Sequence, residues 1–257
     1  MISAALALSL SLSSSSLIDP TPPAQMRPLQ TDRPDLTEGP YTVDAGHLQV
    51  EVDAVVVGLS ADESALTAMG TNVRVGLTPS IDAHLIMPGL TLAWSDPFGD
   101  AKPVPLAANE ALLRLKWNLV GGDGGDIAVA LLPFVVLSAA DGPSGGLIVP
   151  FNFNLPWDIG LGSQIEADIL REGEAIDVRA AVSASASHAI VDDLGGYLEL
   201  FAEGRSRSLA SETELGLTAS AGLTWLVFPD LQVDCGARVP LLSGPSFEAF
   251  VGVAFRH

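Results

Sequence analysis

Most of the chain after Gly46 alternates apolar and polar side chains with a period of two, in segments of about ten residues or more. Successive side chains of a β-strand point to opposite faces, so this alternation indicates strands with one apolar and one polar face. No segment of this length keeps a helical stripe equally well. In residues 47–57, one set of alternate positions, called here the polar frame, holds Gln49, Glu51 and Asp53. The other set, called the apolar frame, holds Leu48, Val50, Val52, Ala54 and Val56.

The length of these segments narrows the fold class further. Strands of soluble proteins average about 5–6 residues, whereas a 12-residue strand tilted by ~45° rises ~28 Å, close to the thickness of a hydrocarbon core. An even number of strands is typical of bacterial outer-membrane barrels. We predict an all-β fold, an antiparallel transmembrane β-barrel closed as an up-and-down meander. Its strands are residues 46–57, 69–78, 81–94, 109–120, 126–138, 146–155, 157–171, 177–190, 196–208, 214–227, 231–241 and 246–257.

Ionisable side chains in the strand interiors fall on the frame opposite Leu, Val and Ile. An Arg or Lys that faces lipid at the membrane midplane costs ~2–4 kcal/mol, so this frame is predicted to face the lumen. Acids outnumber bases on it, which favours cations over anions in a pore. The predicted pore-lining residues are Glu51, Asp53, Arg74, Asp82, His84, Arg114, Lys116, Glu166, Asp168, Arg179, Glu199, Glu203, Arg205, Asp234, Arg238, Glu248 and Arg256.

The segment before the barrel divides into two parts. Residues 1–17 are small and apolar and are predicted to be a signal peptide, with a flexible N-terminus as the alternative. Residues 18–45 are rich in Pro, Asp and Thr, which is typical of an extended linker or plug, and the barrel would occupy residues 46–257. Arg33 and Asp35 are candidates for a plug in the lumen; the alternative is a disordered tail outside it.

The connections agree with a membrane barrel. Proline-marked tight turns occur at residues 78–80, 155–156 and 228–230, and longer connections at residues 59–68 and 95–108. Short turns at one end and longer loops at the other are the outer-membrane pattern. The four tryptophans stand near strand ends and are predicted to anchor the barrel at the membrane interfaces: Trp94, Trp117, Trp157 and Trp225.

Composition excludes several classes of function. A formal charge of −19 argues against nucleic acid as a partner, because phosphate binding needs a basic surface. The single cysteine, Cys235, excludes an internal disulfide and a Cys-cluster zinc site. Ser80, Asp82 and His84 share a face, but i and i+2 side chains of one strand lie ~6.5 Å apart, too far for a proton relay. We predict no catalytic residues, no metal and no cofactor.

Four stretches resemble a known bacterial family, and two of them, residues 75–85 and residues 113–120 with 128–137, resemble only its strand pattern. Residues 31–53, TDRPDLTEGPYTVDAGHLQVEVD, resemble the opening of the phenol meta-pathway degradation proteins. Residues 215–257 resemble the closing hairpin of that family, with a Pro-Asp turn, a Gln-x-Asp strand and an aromatic-Arg end. The resemblance implies a twelve-stranded outer-membrane barrel that takes up small, aromatic or hydrophobic compounds. The chain departs from the family in its 6% aromatic content and in ending at Arg256-His257.

The prediction for function is a passive transporter or channel for small molecules in the outer membrane of a Gram-negative bacterium. Its partners would be the lipid bilayer, a small-molecule solute and the outer-membrane assembly machinery. Two alternatives stay open. One is a structural outer-membrane barrel whose lumen is closed by salt bridges. The other is a secreted soluble β-barrel that binds an apolar ligand inside.

Overall fold

A computed structural model describes residues 15–60, 64–94, 102–103, 110–138, 142–173, 175–207, 212–242 and 247–257. Most of the predicted signal peptide, residues 1–14, lies outside these residues. No helix among the described residues is long and apolar enough to cross a bilayer. The strands are β1 Leu48–Leu59, β2 Ser64–Ala68, β3 Gly70–Thr78, β4 Ile81–Met87, β5 Leu90–Trp94, β6 Lys102–Pro103, β7 Glu110–Val120, β8 Ile127–Ser138, β9 Ser144–Leu155, β10 Ile159–Glu172, β11 Ala175–Val191, β12 Leu194–Arg207, β13 Glu212–Phe228, β14 Leu231–Pro240 and β15 Phe247–Arg256.

These strands form one antiparallel sheet that closes on itself, because β15 pairs with β14 on one side and with β1 on the other. Three positions in the wall hold two strand segments each. β2 and β3 both pair with β1 and are separated by Met69, whose φ is 64°, while β4 and β5 are separated by Pro88 and Gly89. The short β6 pairs with β5 as β7 pairs with β4, so β6 and β7 share the third position. The result is the predicted closed, twelve-stranded, up-and-down barrel.

The structure corrects two details of the predicted strands. Residues 64–68, predicted as loop, form β2, because they pair with the last four residues of β1 on one side and with β5 on the other. Residues 157 and 158 belong to a short 3-10 turn, Pro156–Asp158, and β10 starts at Ile159. The positive φ angles of Trp157 and Asp158, 67° and 57°, are incompatible with extended strand.

A β-bulge in β1 also changes which side chains face outward. Asp53 pairs with Gly252 and Val55 pairs with Val251, so Ala54 has no partner on β15. The extra residue inverts the alternation beyond it. Val55 is therefore 38% exposed on the outer surface, whereas Val56 lies opposite the buried, inward Phe250. The predicted apolar frame is wrong from Ala54 onward for this reason.

The outer surface of the barrel is apolar and most of its interior is polar, apart from an apolar patch of Ala130, Leu132 and Ile148 on β8 and β9. On β12 the exposed fractions of Leu198, Glu199 and Leu200 are 69%, 3% and 54%, so the carboxylate is inside and both leucines are outside. A soluble barrel that binds an apolar ligand needs the opposite arrangement. That alternative is therefore wrong for this chain.

The two ends of the barrel differ. The short-turn end carries the turns at residues 79–80, 121–126, 156–158, 192–193 and 229–230, together with the start of β1 and the end of β15. Trp117, Trp157 and Trp225 lie near this end, where their exposed fractions are 48%, 84% and 55%. Trp94 ends β5 at the opposite end, called here the long-loop end. All four stand near strand ends, and their role as membrane anchors stays a prediction.

Candidate functional site

The interior of the barrel contains a loop made by residues 27–44, called here the inserted segment. Its groups contact Glu51 on β1, Asp82 on β4, Gln164 on β10, Glu199 on β12 and Asp234 on β14. Because these strands stand on all sides of a closed wall, the segment lies inside the lumen.

The inserted segment enters and leaves at the short-turn end. The Thr21 N–H donates to the carbonyl of Ala45, and the Gly46 N–H donates to the carbonyl of Gly76, so both arms are tied together there. Near the base of the loop, the Arg27 guanidinium lies 2.8 Å from the Asp44 carboxylate. The apex reaches Glu199, the sixth residue of the fourteen-residue β12. The segment therefore occupies part of the half of the lumen next to the short-turn end.

Two inward-facing glycines make room for the segment. A Cβ at Gly76 would lie 2.0 Å from the carbonyl oxygen of Asp44, and a Cβ at Gly252 would lie 2.0 Å from the Arg33 guanidinium. Any side chain at Gly76 would collide with backbone rather than with a movable side chain. The wall and the segment are therefore fitted to each other at these two positions.

A cluster of six ionisable side chains fixes the segment to one side of the wall. The Arg74 guanidinium is 3.1 Å from Asp32, 3.0 Å from Glu51 and 2.9 Å from Asp82. The imidazole Nε2 of His84 is 2.9 Å from the second oxygen of Asp82, and Lys116 pairs with Asp32. This central cluster joins one residue of the segment to four strands; its members are Asp32, Glu51, Arg74, Asp82, His84 and Lys116.

The side chains of the central cluster are between 0% and 6% exposed, so their charges interact with each other more than with water. Buried charges are tolerated when each finds an opposite charge and hydrogen bonds. Burial alone would raise the pKa of the Asp32 carboxyl. Arg74, Lys116 and His84 outweigh burial and hold that pKa well below its usual range.

Arg33 attaches the segment to a second part of the wall. Its guanidinium makes a bidentate contact with the Asp234 carboxylate, at 2.8 and 3.2 Å, and also pairs with Asp53. The paired nitrogens of a guanidinium match the two oxygens of a carboxylate, so this contact fixes orientation as well as position. Arg33 thereby links the segment to β14 and β1.

Glu199 holds the apex from the opposite side. Its carboxylate accepts hydrogen bonds from the N–H groups of Leu36 and Thr37, at 3.0 and 2.8 Å, and from the Thr37 hydroxyl at 2.6 Å. The Thr37 hydroxyl is also 2.6 Å from that of Ser183. Burial, followed by the neighbouring Glu199 carboxylate, raises the pKa of Asp35 to about 7, against a hydrogen bond from Ser185.

The other half of the lumen, called here the outer vestibule, extends from the apex to the long-loop end. Arg179 pairs with Glu166, Asp168 and Glu203, Arg205 lies 2.8 Å from Asp177, and Arg238 pairs with Glu248. Acids outnumber bases among these side chains. All the predicted pore-lining residues lie on the inward face of the wall, although their role in passage stays a prediction.

Two residues of the inserted segment were predicted from the sequence to lie in the lumen, and four others were missed. Arg33 and Asp35 were the plug candidates, whereas Arg27, Asp32, Glu38 and Asp44 also pair with or contact the wall or each other. Asp32 flanks the selected Arg33 in the sequence, so its charge was the available signal. Arg27 and Asp44 had no such signal, because their pairing depends on the fold of the loop.

Comparisons with known proteins place the fold. The sequence matches no family profile and no curated protein. An outer membrane channel from Pseudomonas putida F1 is similar in structure over 89% of this chain and 100% of its own, with a TM-score of 0.57 and 9% identity. The NanC porin is similar over 81% of this chain and 98% of its own, with a TM-score of 0.56 and 11% identity. The chain thus has a fold seen in outer-membrane porins and channels.

Proposed function

We propose that this protein is a passive channel for small molecules in the outer membrane of a Gram-negative bacterium. The observation that carries the proposal is the distribution of polarity in a closed barrel: side chains such as Leu198 and Leu200 cover the outside, and charged groups line the inside. An apolar belt of this kind fits a bilayer, and a charged, hydrated interior fits the passage of polar solutes. The two similar structures, a channel and a porin, support the same function.

The inserted segment is proposed to act as a plug that limits the size of the passage. It occupies part of the half of the lumen next to the short-turn end, which we propose faces the periplasm. Membership of the phenol meta-pathway family, and with it uptake of aromatic or hydrophobic compounds, rests on the opening and closing motifs alone and remains a proposal. The bilayer and the assembly machinery would be the partners of any such barrel.

A structural barrel without transport is the second candidate. The central cluster and the contacts of Arg33 and Glu199 favour it, because together they close the lumen in this conformation. The two candidates differ in one measurable property. A channel conducts ions after insertion into a planar bilayer, whereas a permanently closed barrel does not.

We expect the full chain to conduct ions and to select cations several-fold over anions, because acids outnumber bases in the outer vestibule. The reversal potential under a salt gradient measures this preference. The protein should first be purified from the membrane fraction as a heat-modifiable band on SDS gels. An anion preference would contradict the proposed selectivity, and the absence of any conductance would support the structural barrel.

A further inference from the structure

Three cavities inside the barrel adjoin the inserted segment and form two compartments, one on each side of it. Toward the short-turn end, cavities of 440 and 400 Å³ adjoin each other at Gln30 and Ser187, which line both. A cavity of 330 Å³ lies above the segment beside β1–β4, where Glu38, Asp53 and Asn72 line it. The lower space and the upper cavity are therefore separate in this conformation.

The partition between the compartments is one chain thick. Arg33, Pro34 and Asp35 line the 400 Å³ cavity on one side and the 330 Å³ cavity on the other. Residues 33–37 are called here the septum. They extend from the Arg33 contact with Asp234 and Asp53 to the Glu199 contact with Leu36 and Thr37.

The septum is attached differently at its two ends. At one end, the positive guanidinium of Arg33 is held by two negative carboxylates, those of Asp53 and Asp234. At the other end, Glu199 binds two N–H groups and a hydroxyl while the Asp35 carboxyl lies beside it. Like charges brought together oppose the contact that hydrogen bonds favour. The Glu199 end is therefore the more easily released of the two.

The segment is fixed more firmly on the side of the central cluster. There the central cluster fills the lumen against β1, β3, β4 and β7, and the side chains of Arg74, Asp82 and His84 are 0% exposed. Opening a path there would separate several buried charges from their partners, which is far costlier than releasing hydrogen bonds at one carboxylate.

We infer that the solute path runs through the lower space beside β9–β13 and crosses the septum to the cavity beside β1–β4. It is closed by the contact of Leu36 and Thr37 with Glu199. In this assignment Glu199 is a positioning residue that holds the septum across the path. Arg33 stays bound while the Glu199 end moves. The inference rests on the proposed channel function and adds to it the position of the constriction and the residue that sets it.

A reversible cross-link tests this position. Thr37 and Ser183 are replaced together by cysteine, in a Cys235→Ser background, because their hydroxyl oxygens are 2.6 Å apart. The oxidised protein should lose its planar-bilayer conductance, and a thiol reductant should restore it. If the oxidised and reduced proteins conduct equally, the path does not cross the septum and the inference is wrong while the channel function stands. If wild-type protein and the reduced variant never conduct, the channel function itself fails.

Loss of the Glu199 carboxylate tests the same contact without a cross-link. We expect Glu199→Ala to raise the time-averaged conductance about tenfold, the effect of losing one charge-assisted hydrogen bond. Glu203→Ala is the matched control, because Glu203 lies on the same strand and pairs with Arg179 rather than with the septum. Equal conductance changes in the two variants would show that removing an inward carboxylate, not releasing the septum, is responsible.

The proximity of Asp35 to Glu199 also predicts a dependence on pH. The pKa of Asp35 is about 7 with the septum in place and falls toward its ordinary value of 3.8 on release, so proton binding stabilises the closed state. We expect conductance to fall as the pH is lowered from about 7 to about 4, and to stay constant above about pH 7. Asp35→Asn should abolish this step, and an unchanged step would refute the assignment. The polar groups near Asp35 are Arg33, Glu38, Ser185, Tyr197, Glu199 and Arg238, which donates to the Pro34 carbonyl at 3.2 Å. His188, Asp192 and Asp193 line the 400 Å³ cavity together with Asp35.

Discussion

Replacement of Arg74 by methionine is expected to lower the free energy of unfolding by about 3–5 kcal/mol, because it leaves buried carboxylates without their cation. Arg74 has an exposed fraction of 0% and pairs with Asp32, Glu51 and Asp82. Methionine keeps much of the side-chain length but none of the charge. Lys116 and His84 remain near Asp32 and Asp82, whereas Glu51 keeps only hydrogen bonds.

The matched control for this variant is Arg207→Met. Arg207 pairs with Glu214 at 2.8 Å, but its side chain is 35% exposed and that of Glu214 is 53% exposed. Ion pairs at such positions contribute ~0–1 kcal/mol. Urea unfolding of both variants in lipid vesicles measures the difference. Similar losses for Arg74→Met and Arg207→Met would contradict the description of the central cluster as a set of buried charges that depend on each other.

Replacement of Leu200 by arginine is expected to destabilise the inserted barrel by ~2–4 kcal/mol and to reduce its assembly in membranes. Leu200 is 54% exposed on the outer surface and is the seventh residue of the fourteen-residue β12, near the middle of the wall. Its neighbours across the strands are Ala184 and Ala219, which offer no partner for a charge. The yield of heat-modifiable protein and urea unfolding in vesicles measure the effect.

The control for Leu200→Arg places the same charge at a different depth in the membrane. Phe228 is 64% exposed but ends β13 beside the short-turn end, so Phe228→Arg places the same charge close to water. A charge near the interface costs ~0–1 kcal/mol. If the two arginine variants are equally stable, the outer surface does not face hydrocarbon. That result would remove the basis for the membrane location.

The barrel wall could be predicted because the patterns that define it lie within single strands. The alternation of side chains and the restriction of charges to one frame are both readable along single strands, and Leu198, Glu199 and Leu200 behave as the alternation requires. The exceptions also have local causes. The bulge at Ala54 inverts the frame by one extra residue, and nothing in a run of valines and alanine marks where that residue falls.

The inserted segment was predictable only in outline. Proline, acidic residues and the absence of periodicity in residues 18–45 indicate a segment outside the wall. They leave open whether it enters the lumen. Its position depends on contacts between residues far apart in sequence, such as Arg33 with Asp234 and Thr37 with Ser183. The inward glycines Gly76 and Gly252 leave space in the wall for the segment. Their role can be recognised only when the position of the segment is known.

The shared entry and exit of the inserted segment determines from which side passage can be controlled. Both arms emerge at the short-turn end, so the loop can be withdrawn without breaking the wall and without any chain end crossing the barrel. A withdrawn loop would then be exposed to only one of the two compartments that the membrane separates. A protein, a protease or a small molecule that captures the loop would act from that compartment alone, whichever direction the solute takes.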